Sequence, residues 1–395
     1  MLVIRGGTIF TAAKKPAPEV VKDGSIIVED GRIGYCGPCQ DVPEGAEVID
    51  ASGKVITPGL IDAHVHIGVH PDGFGWRESD VNEATDPNTA EVRAIDGIWP
   101  MDEAFSAAVE GGVTCVQVAP GSANVIGGET VVIRTTGKVV DEMVLRNPSG
   151  LKAALGENPK RVYGSRNRMP STRMGNAAVM RAALARARDY LRKKELAREK
   201  PDKAPDTDLK LETIAKVLRG EIPLRIHVHR ADDIMTAMRI AREFNIQISL
   251  EHCTEGHLIA TEIREFGAPA TCGPSLTDKS KLEIRDIGFH TPVALLKAGI
   301  KTALITDHPV FPLQYLRLCA GLAVREGLDE REAILAVTRY PAEIAGVDSR
   351  VGSLERGKDA DIVIWSGDPF EYDTRVLYTI AAGRVVYKGG EVARQ

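Results

Sequence analysis

Aromatic residues are scarce, at 5% of the 395 residues, and there are only six cysteines. Cys36, Cys39, Cys115, Cys253, Cys272 and Cys319 are too few in so long a chain to staple it as a disulfide framework, and they read as reduced thiols. No basic surplus exists either: 50 Lys and Arg stand against 55 Asp and Glu, a net charge of -5. A nucleic-acid or membrane-surface partner therefore has no electrostatic support. Long hydrophobic runs are missing as well, and none approaches the roughly 20 apolar residues needed to span a bilayer. The opening Met1 to Gly7 is too short an apolar run for the core of a signal peptide. The expected address is the cytoplasm.

What is present is ordinary for a soluble globular protein: 43% hydrophobic and 27% charged residues, with 38 glycines that imply many tight turns. Residues 1–55 read as short strands separated by the turns Lys22-Asp23-Gly24 and Glu29-Asp30-Gly31. Short strands return after residue 360, in Asp361 to Trp365, Val376 to Ile380 and Arg384 to Tyr387. Isolated hairpins are marginal alone, so residues 1–55 and 346–395 are expected to join as one small β module.

Between them, residues 56–345 alternate apolar strands with helix-period stretches. Val113 to Val118, Leu224 to Val228, Ile246 to Leu250 and Lys301 to Ile305 look like buried parallel strands. Met101 to Glu110, Asn176 to Ala197, Asp232 to Phe244, Leu258 to Phe266 and Pro292 to Ala298 carry the helical period. Such alternation predicts an α/β barrel or a doubly wound sheet.

One motif is a decoy. Cys36-Gly37-Pro38-Cys39 has thioredoxin spelling, but Gln40 to Gly45 after it has turn composition where a helix should open. A turn between short strands is the simpler reading.

The histidines carry the chemistry. His64 and His66 sit two apart on a strand, so their imidazoles share a face and can grip one cation. His227 and His229 repeat the pair, while His252 and Asp307 end two further strands. Seven of the nine histidines, with His257 and His308 included, lie at or just beyond strand ends. Nitrogen ligands joined by a carboxylate suit Zn²⁺, with an open position for water.

These residues, with Pro58 to His66, Thr338 to Ala342 and Gly352 to Asp361, resemble the amidohydrolase superfamily, specifically its imidazolonepropionase-related and Xaa-Pro dipeptidase-like members. The resemblance implies a TIM-like (β/α)8 barrel with a small composite β-sandwich built from both termini. It also implies metal-dependent hydrolysis with one or two divalent ions per subunit, most simply Zn²⁺. By the same resemblance His64, His66, His227, His252 and Asp307 are ligands, with Asp307 also the general base. His229 takes a substrate-contacting place, although exchange of roles with His227 stays open. His252 and His229 are further candidates to hydrogen-bond the reacting group.

The bridging position is open between Glu157, as in relatives that use a glutamate, and Lys152, as in relatives that use a carboxylated lysine. Glu157 is favoured because Asn158-Pro159 should turn the chain there and leave it at a strand end.

For the substrate, Gly121 to Glu129 is a Gly-rich segment that could present backbone N–H groups to an anion, but it lacks the Gly-Lys-Ser/Thr ending of a nucleotide loop. Arg166, Arg168 and Arg173 follow Glu157, and guanidinium forks bind carboxylates, so a carboxylate-bearing small molecule is expected. The resulting expectation is a cytoplasmic homo-oligomer that hydrolyses an amide or cyclic amide, such as an N-acyl amino acid or dipeptide, with non-peptide bonds favoured. A carbon–nitrogen lyase or isomerase on the same barrel, or a non-catalytic scaffold, are the alternatives.

Overall fold

The computed structural model describes residues 1–73 and 78–389 in full, and the backbone of 391–392. The chain opens with β1 (Leu2–Phe10), β2 (Val20–Glu29), β3 (Arg32–Pro38), β4 (Glu47–Asp50) and β5 (Val55–Pro58). The middle contributes β6 (Leu60–Val65), β7 (Val113–Val118), β8 (Ile126–Arg134), β9 (Val144–Ala154), β10 (Leu224–Val228), β11 (Ile248–His252), β12 (Ala270–Cys272) and β13 (Thr302–Leu304). It closes with β14 (Ile362–Trp365), β15 (Val376–Ala381), β16 (Arg384–Lys388) and β17 (Glu391–Val392).

Strands from the two ends form a single nine-stranded sheet, ordered β17-β16-β15-β14-β5-β1-β2-β3 with β4 paired to β1. The antiparallel β5–β14 ladder, from Val55–Trp365 to Pro58–Ile362, is the seam between the termini. Ile4, Ile9, Ile26, Ile56, Ile362 and Ile380 fill its core. Since β5 belongs to this sheet, the passage into the barrel falls at Gly59. A Cβ there would lie 2.1 Å from the Thr114 hydroxyl, so only glycine lets β5 run straight into β6. Buried Arg134 on β8 clamps the returning chain, donating to Asp361 at 2.6 and 2.7 Å and to Asp359 at 2.5 Å.

The middle strands form an eight-stranded sheet in the order β13 through β6. It curls until its edges nearly meet. His66 N donates to the His308 carbonyl at 2.8 Å, and the buried Asp62 carboxylate accepts from Thr306 N at 2.8 Å and Thr306 Oγ1 at 2.7 Å. Strands β6, β7, β10 and β11 are buried along their whole length, as strands covered on both faces must be.

The sheet departs from an all-parallel barrel at one strand. β8 runs antiparallel to both β7 and β9, whereas the other neighbouring pairs are parallel. A β8–β9 hairpin therefore replaces one strand–helix unit. Ile126 to Glu129, read from the sequence as the end of a Gly-rich loop, belong to β8. Cys36 lies within β3 and Cys39 just after it; no helix opens there.

Candidate metal centre

The candidate site residues, five histidines and Asp307, come from the C-terminal ends of four parallel strands, the face on which barrel enzymes assemble their sites. His64 is on β6 and His66 follows it; His227 is on β10 and His229 just past it; His252 ends β11, and Asp307 lies three residues past β13. Their rings form a continuous cluster. His64 and His252 are 4.8 Å apart by ring centroid, His252 and His227 4.4 Å, His227 and His229 4.6 Å, and His64 and His66 5.5 Å. His64, His66 and Asp307 place one ligand atom each within 4.8 Å of one another. Asp307 Oδ1 is 3.3 Å from His66 Nε2 and 3.5 Å from His64 Nε2.

The tautomers follow from the partners of the other ring nitrogens. His66 Nδ1 meets the Ala119 carbonyl at 2.8 Å, and His252 Nδ1 meets the Gly273 carbonyl at 2.7 Å. A carbonyl can only accept, so both rings carry their proton on Nδ1 and leave the Nε2 lone pair free. His64 Nδ1 likewise faces Glu251 Oε2 at 2.8 Å. Three imidazoles thus present unprotonated Nε2 atoms toward one region, held by the outer hydrogen bonds typical of metal-ligating histidines. Asp307 Oδ1 and His227 Nδ1 are buried without a hydrogen-bond partner among the described residues. An orphaned carboxylate oxygen on Asp307 beside aligned lone pairs fits a divalent cation.

Burial disfavours the charged form of His64, His227, His229 and His252. Burial, with neighbouring cationic groups adding to it, drives His227 and His229 well below the usual histidine range. Burial likewise pushes His252 down to about 3, despite the opposing pull of Asp307. For Asp307 burial acts upward, but His252, His66 and His64 outweigh it and hold the carboxyl well below its usual range. The site sets one carboxylate among buried imidazoles, a donor set suited to a divalent cation.

Backbone strain marks the same residues. His252, Cys253 and Asp307 adopt φ of 72°, 50° and 53°, a left-handed region that side chains other than glycine seldom enter. Gly273 (φ +145°) is there for space: a Cβ would lie 2.1 Å from the Ile305 carbonyl oxygen, so the carbonyl that fixes His252 could not be delivered by another residue.

The expectation that Glu157 ends a strand needs correction. Glu157 does not end a strand: β9 stops at Ala154, Gly156 turns at φ +81°, and Glu157 opens the helix Glu157–Gly164. Asn158-Pro159 lies within the first turn of that helix, where proline's missing N–H costs nothing. Glu157 is held by its backbone N–H, which donates to Glu283 Oε2 at 2.8 Å. Lys152, fully buried on β9, instead sets its Nζ 3.0 Å from His64 Nε2. Burial brings its pKa down to about 8, although Asp307 and Glu251 oppose the shift.

The arginines part company. Arg166 and Arg168 are exposed and donate to the carbonyls of Ala84 and Thr85, so their charge fastens the 84–86 segment. Arg173 pairs with Asp233 at 2.9 Å and Glu283 at 3.3 Å. None of the three contacts the five clustered histidines among the described residues. His229 does belong to the cluster, its Nδ1 2.8 Å from Thr254 Oγ1 and its Nε2 3.9 Å from Glu283 Oε1.

Several residues that spacing did not point out complete the site. Glu251 anchors His64 and is itself satisfied by Ser249 and by Thr271 Oγ1 at 2.7 Å, with Arg225 at 3.8 Å. Burial raises this carboxyl, yet its bond to His64 and the Arg225 charge hold it far below normal. Lys281 Nζ reaches Glu283 Oε1 at 2.8 Å and donates to Asn158 Oδ1 at 3.1 Å, while Asn158 Nδ2 is 3.4 Å from His227 Nε2. Glu251 adjoins His252 in sequence, which was the one available cue; Lys281 and Glu283 lie in a polar loop with none.

A sequence profile of the amidohydrolase family matches residues 55–386. The chain belongs to that family. A solved amidohydrolase from Thermotoga maritima superposes with a TM-score of 0.94 at 43% identity, covering 98% of this chain and all of that one. Imidazolonepropionase from Acidiphilium cryptum is 28% identical over 376 residues, 91% of each chain. Amidohydrolase tasK from Hapsidospora irregularis is 33% identical over 374 residues; the match takes in 88% of this chain but only 38% of that longer protein. A prolidase solved with N-methylphosphonate-L-proline shares the fold at a TM-score of 0.62 and 18% identity. The family is one of hydrolases. Among the described residues no helix is long and apolar enough to cross a membrane.

Proposed function

We propose that this chain is a metal-dependent hydrolase of a carbon–nitrogen bond in a small amide or cyclic amide. The observation that carries the reading is the set of three Nε2 lone pairs, on His64, His66 and His252, aimed at the region of the Asp307 carboxylate. We assign His64, His66, His227, His252 and Asp307 as the ligands, with Lys152, as its carbamate, rather than Glu157 in the bridging place. His227 is preferred to His229 because its ring centroid lies nearer that of His252, 4.4 Å against 5.0 Å.

A bound divalent ion such as Zn²⁺ lowers the pKa of water toward about 7 and polarises a carbonyl. Asp307 accepts the proton of the attacking water and passes it to the leaving nitrogen. His229, held by Thr254, hydrogen-bonds the carbonyl oxygen as charge develops on it. The Lys281 ammonium, 14% exposed and linked through Asn158 to His227, is the cation placed nearest the histidines to meet a substrate carboxylate, in exchange for its pairing with Glu283. We read residues 1–55 with 346–395 as the support that anchors a catalytic unit of 56–345, in a cytoplasmic, oligomeric enzyme.

The test is a panel of N-acyl amino acids, dipeptides and cyclic amides offered to zinc- or manganese-loaded enzyme in ¹⁸O water. Hydrolysis puts solvent oxygen into a new carboxylate. Turnover with no label in the product would replace hydrolysis by a lyase or isomerase step.

A further inference from the structure

A second set of metal-ligating side chains stands outside the barrel mouth. His257, in the 3₁₀ turn Gly256–Ile259 after β11, faces Asp286 and His290, the latter opening the helix His290–Lys297. One ligand atom from each lies within 4.8 Å of the others. His257 Nε2 is 3.1 Å from Asp286 Oδ2, and His290 Nε2 is 3.7 Å from Asp286 Oδ1. Two ligands bound at about 2.0–2.2 Å to one zinc ion are separated by no more than roughly 4.4 Å. Both measured pairs already meet that limit.

Hydrogen bonding fixes His257 for ligation. The Thr291 hydroxyl donates to the Thr254 carbonyl at 2.9 Å, so its oxygen must accept from His257 Nδ1, 2.8 Å away. That bond orients the ring so that Nε2 points onto the Asp286 carboxylate. An imidazole nitrogen and a carboxylate oxygen 3.1 Å apart are spaced to share one divalent cation. The two imidazoles pack edge to face with centroids 4.7 Å apart. Room for the His290 ring depends on Gly288, where a Cβ would fall 2.7 Å from His290 Nδ1.

We propose that His257, Asp286 and His290 form a separate site for one Zn²⁺-class divalent ion, with water completing its coordination. Such an ion clasps the 286–290 turn to the loop after β11. The clasp borders the active-site mouth, because Thr291 holds Thr254, and the Thr254 hydroxyl in turn contacts His229 at 2.8 Å.

The experiment compares zinc-loaded wild type with His290→Ala and Asp286→Asn, both altered at half-exposed side chains, after gel filtration into metal-free buffer. Metal per chain is counted by mass spectrometry, and the melting temperature is followed as Zn²⁺ is added back. Wild type should hold one more equivalent than either variant, and its melting temperature should rise further on addition. Co²⁺ in that extra equivalent should give the visible absorption of a tetrahedral site. Equal metal counts and equal melting shifts in all three proteins would overturn the proposal.

Discussion

Lys152 Nζ stands 3.0 Å from His64 Nε2, and both side chains are buried inside the barrel. A lysine ammonium and an imidazole lone pair make an acceptable hydrogen bond, yet desolvating the ammonium is costly and lowers its pKa to about 8. A lysine kept in that position serves the site rather than stability.

That cost is measurable in metal-free protein. Unfolded lysine titrates near 10.5, so between pH 8 and 10.5 the unfolded chain binds a proton that the native chain does not. The native state therefore gains stability as pH rises through this window, and the full penalty applies below pH 8. Lys152→Met should melt higher than wild type at pH 7, by up to about 3 kcal/mol. The difference should shrink toward pH 10.5. A difference that does not change with pH would show that Lys152 carries no such penalty.

The same position separates the two bridging candidates. Lys152→Gln should lose bound metal and turnover together, whereas Glu157→Gln should keep the metal count of wild type. Metal analysis of the two purified variants decides between them, and the reverse pattern would restore Glu157.

Asp307→Asn retains an oxygen ligand but cannot take a proton. Its kcat should fall by roughly 10²–10⁴ or more, with a modest loss of metal. Near-normal kcat would remove Asp307 as the base.

Glu251 acts through His64. Glu251→Gln should weaken metal binding or activity about 10–100-fold, the usual effect of removing a ligand's outer partner. Competition with a chromophoric chelator reads the affinity directly, and unchanged affinity would reduce Glu251 to a packing residue.

Much of this was legible in the sequence. The strands Val113–Val118 and Leu224–Val228 match their apolar runs residue for residue, and the spacing of His64 with His66 pointed to the cluster they form with Asp307. Alternating strands and helices pointed to the barrel, but the reversal of β8 was hidden. Ile126 to Arg134 begins with Gly127 and Gly128, which look like loop until their pairing with β9 is seen. Asn158-Pro159 favoured Glu157 as a strand end, whereas β9 ends at Ala154 and Gly156 turns the chain. The arginine loop failed for another reason: a guanidinium satisfied by backbone carbonyls has the same sequence signature as one awaiting a carboxylate.

The most direct test of the central claim is anomalous diffraction from crystals of the zinc-loaded enzyme, measured on either side of the zinc absorption edge. The account predicts a strong peak within coordination distance of His64 Nε2, His66 Nε2 and Asp307, and allows a second beside His227 and His252. An anomalous map empty at those residues, from crystals whose metal content is confirmed, would contradict it.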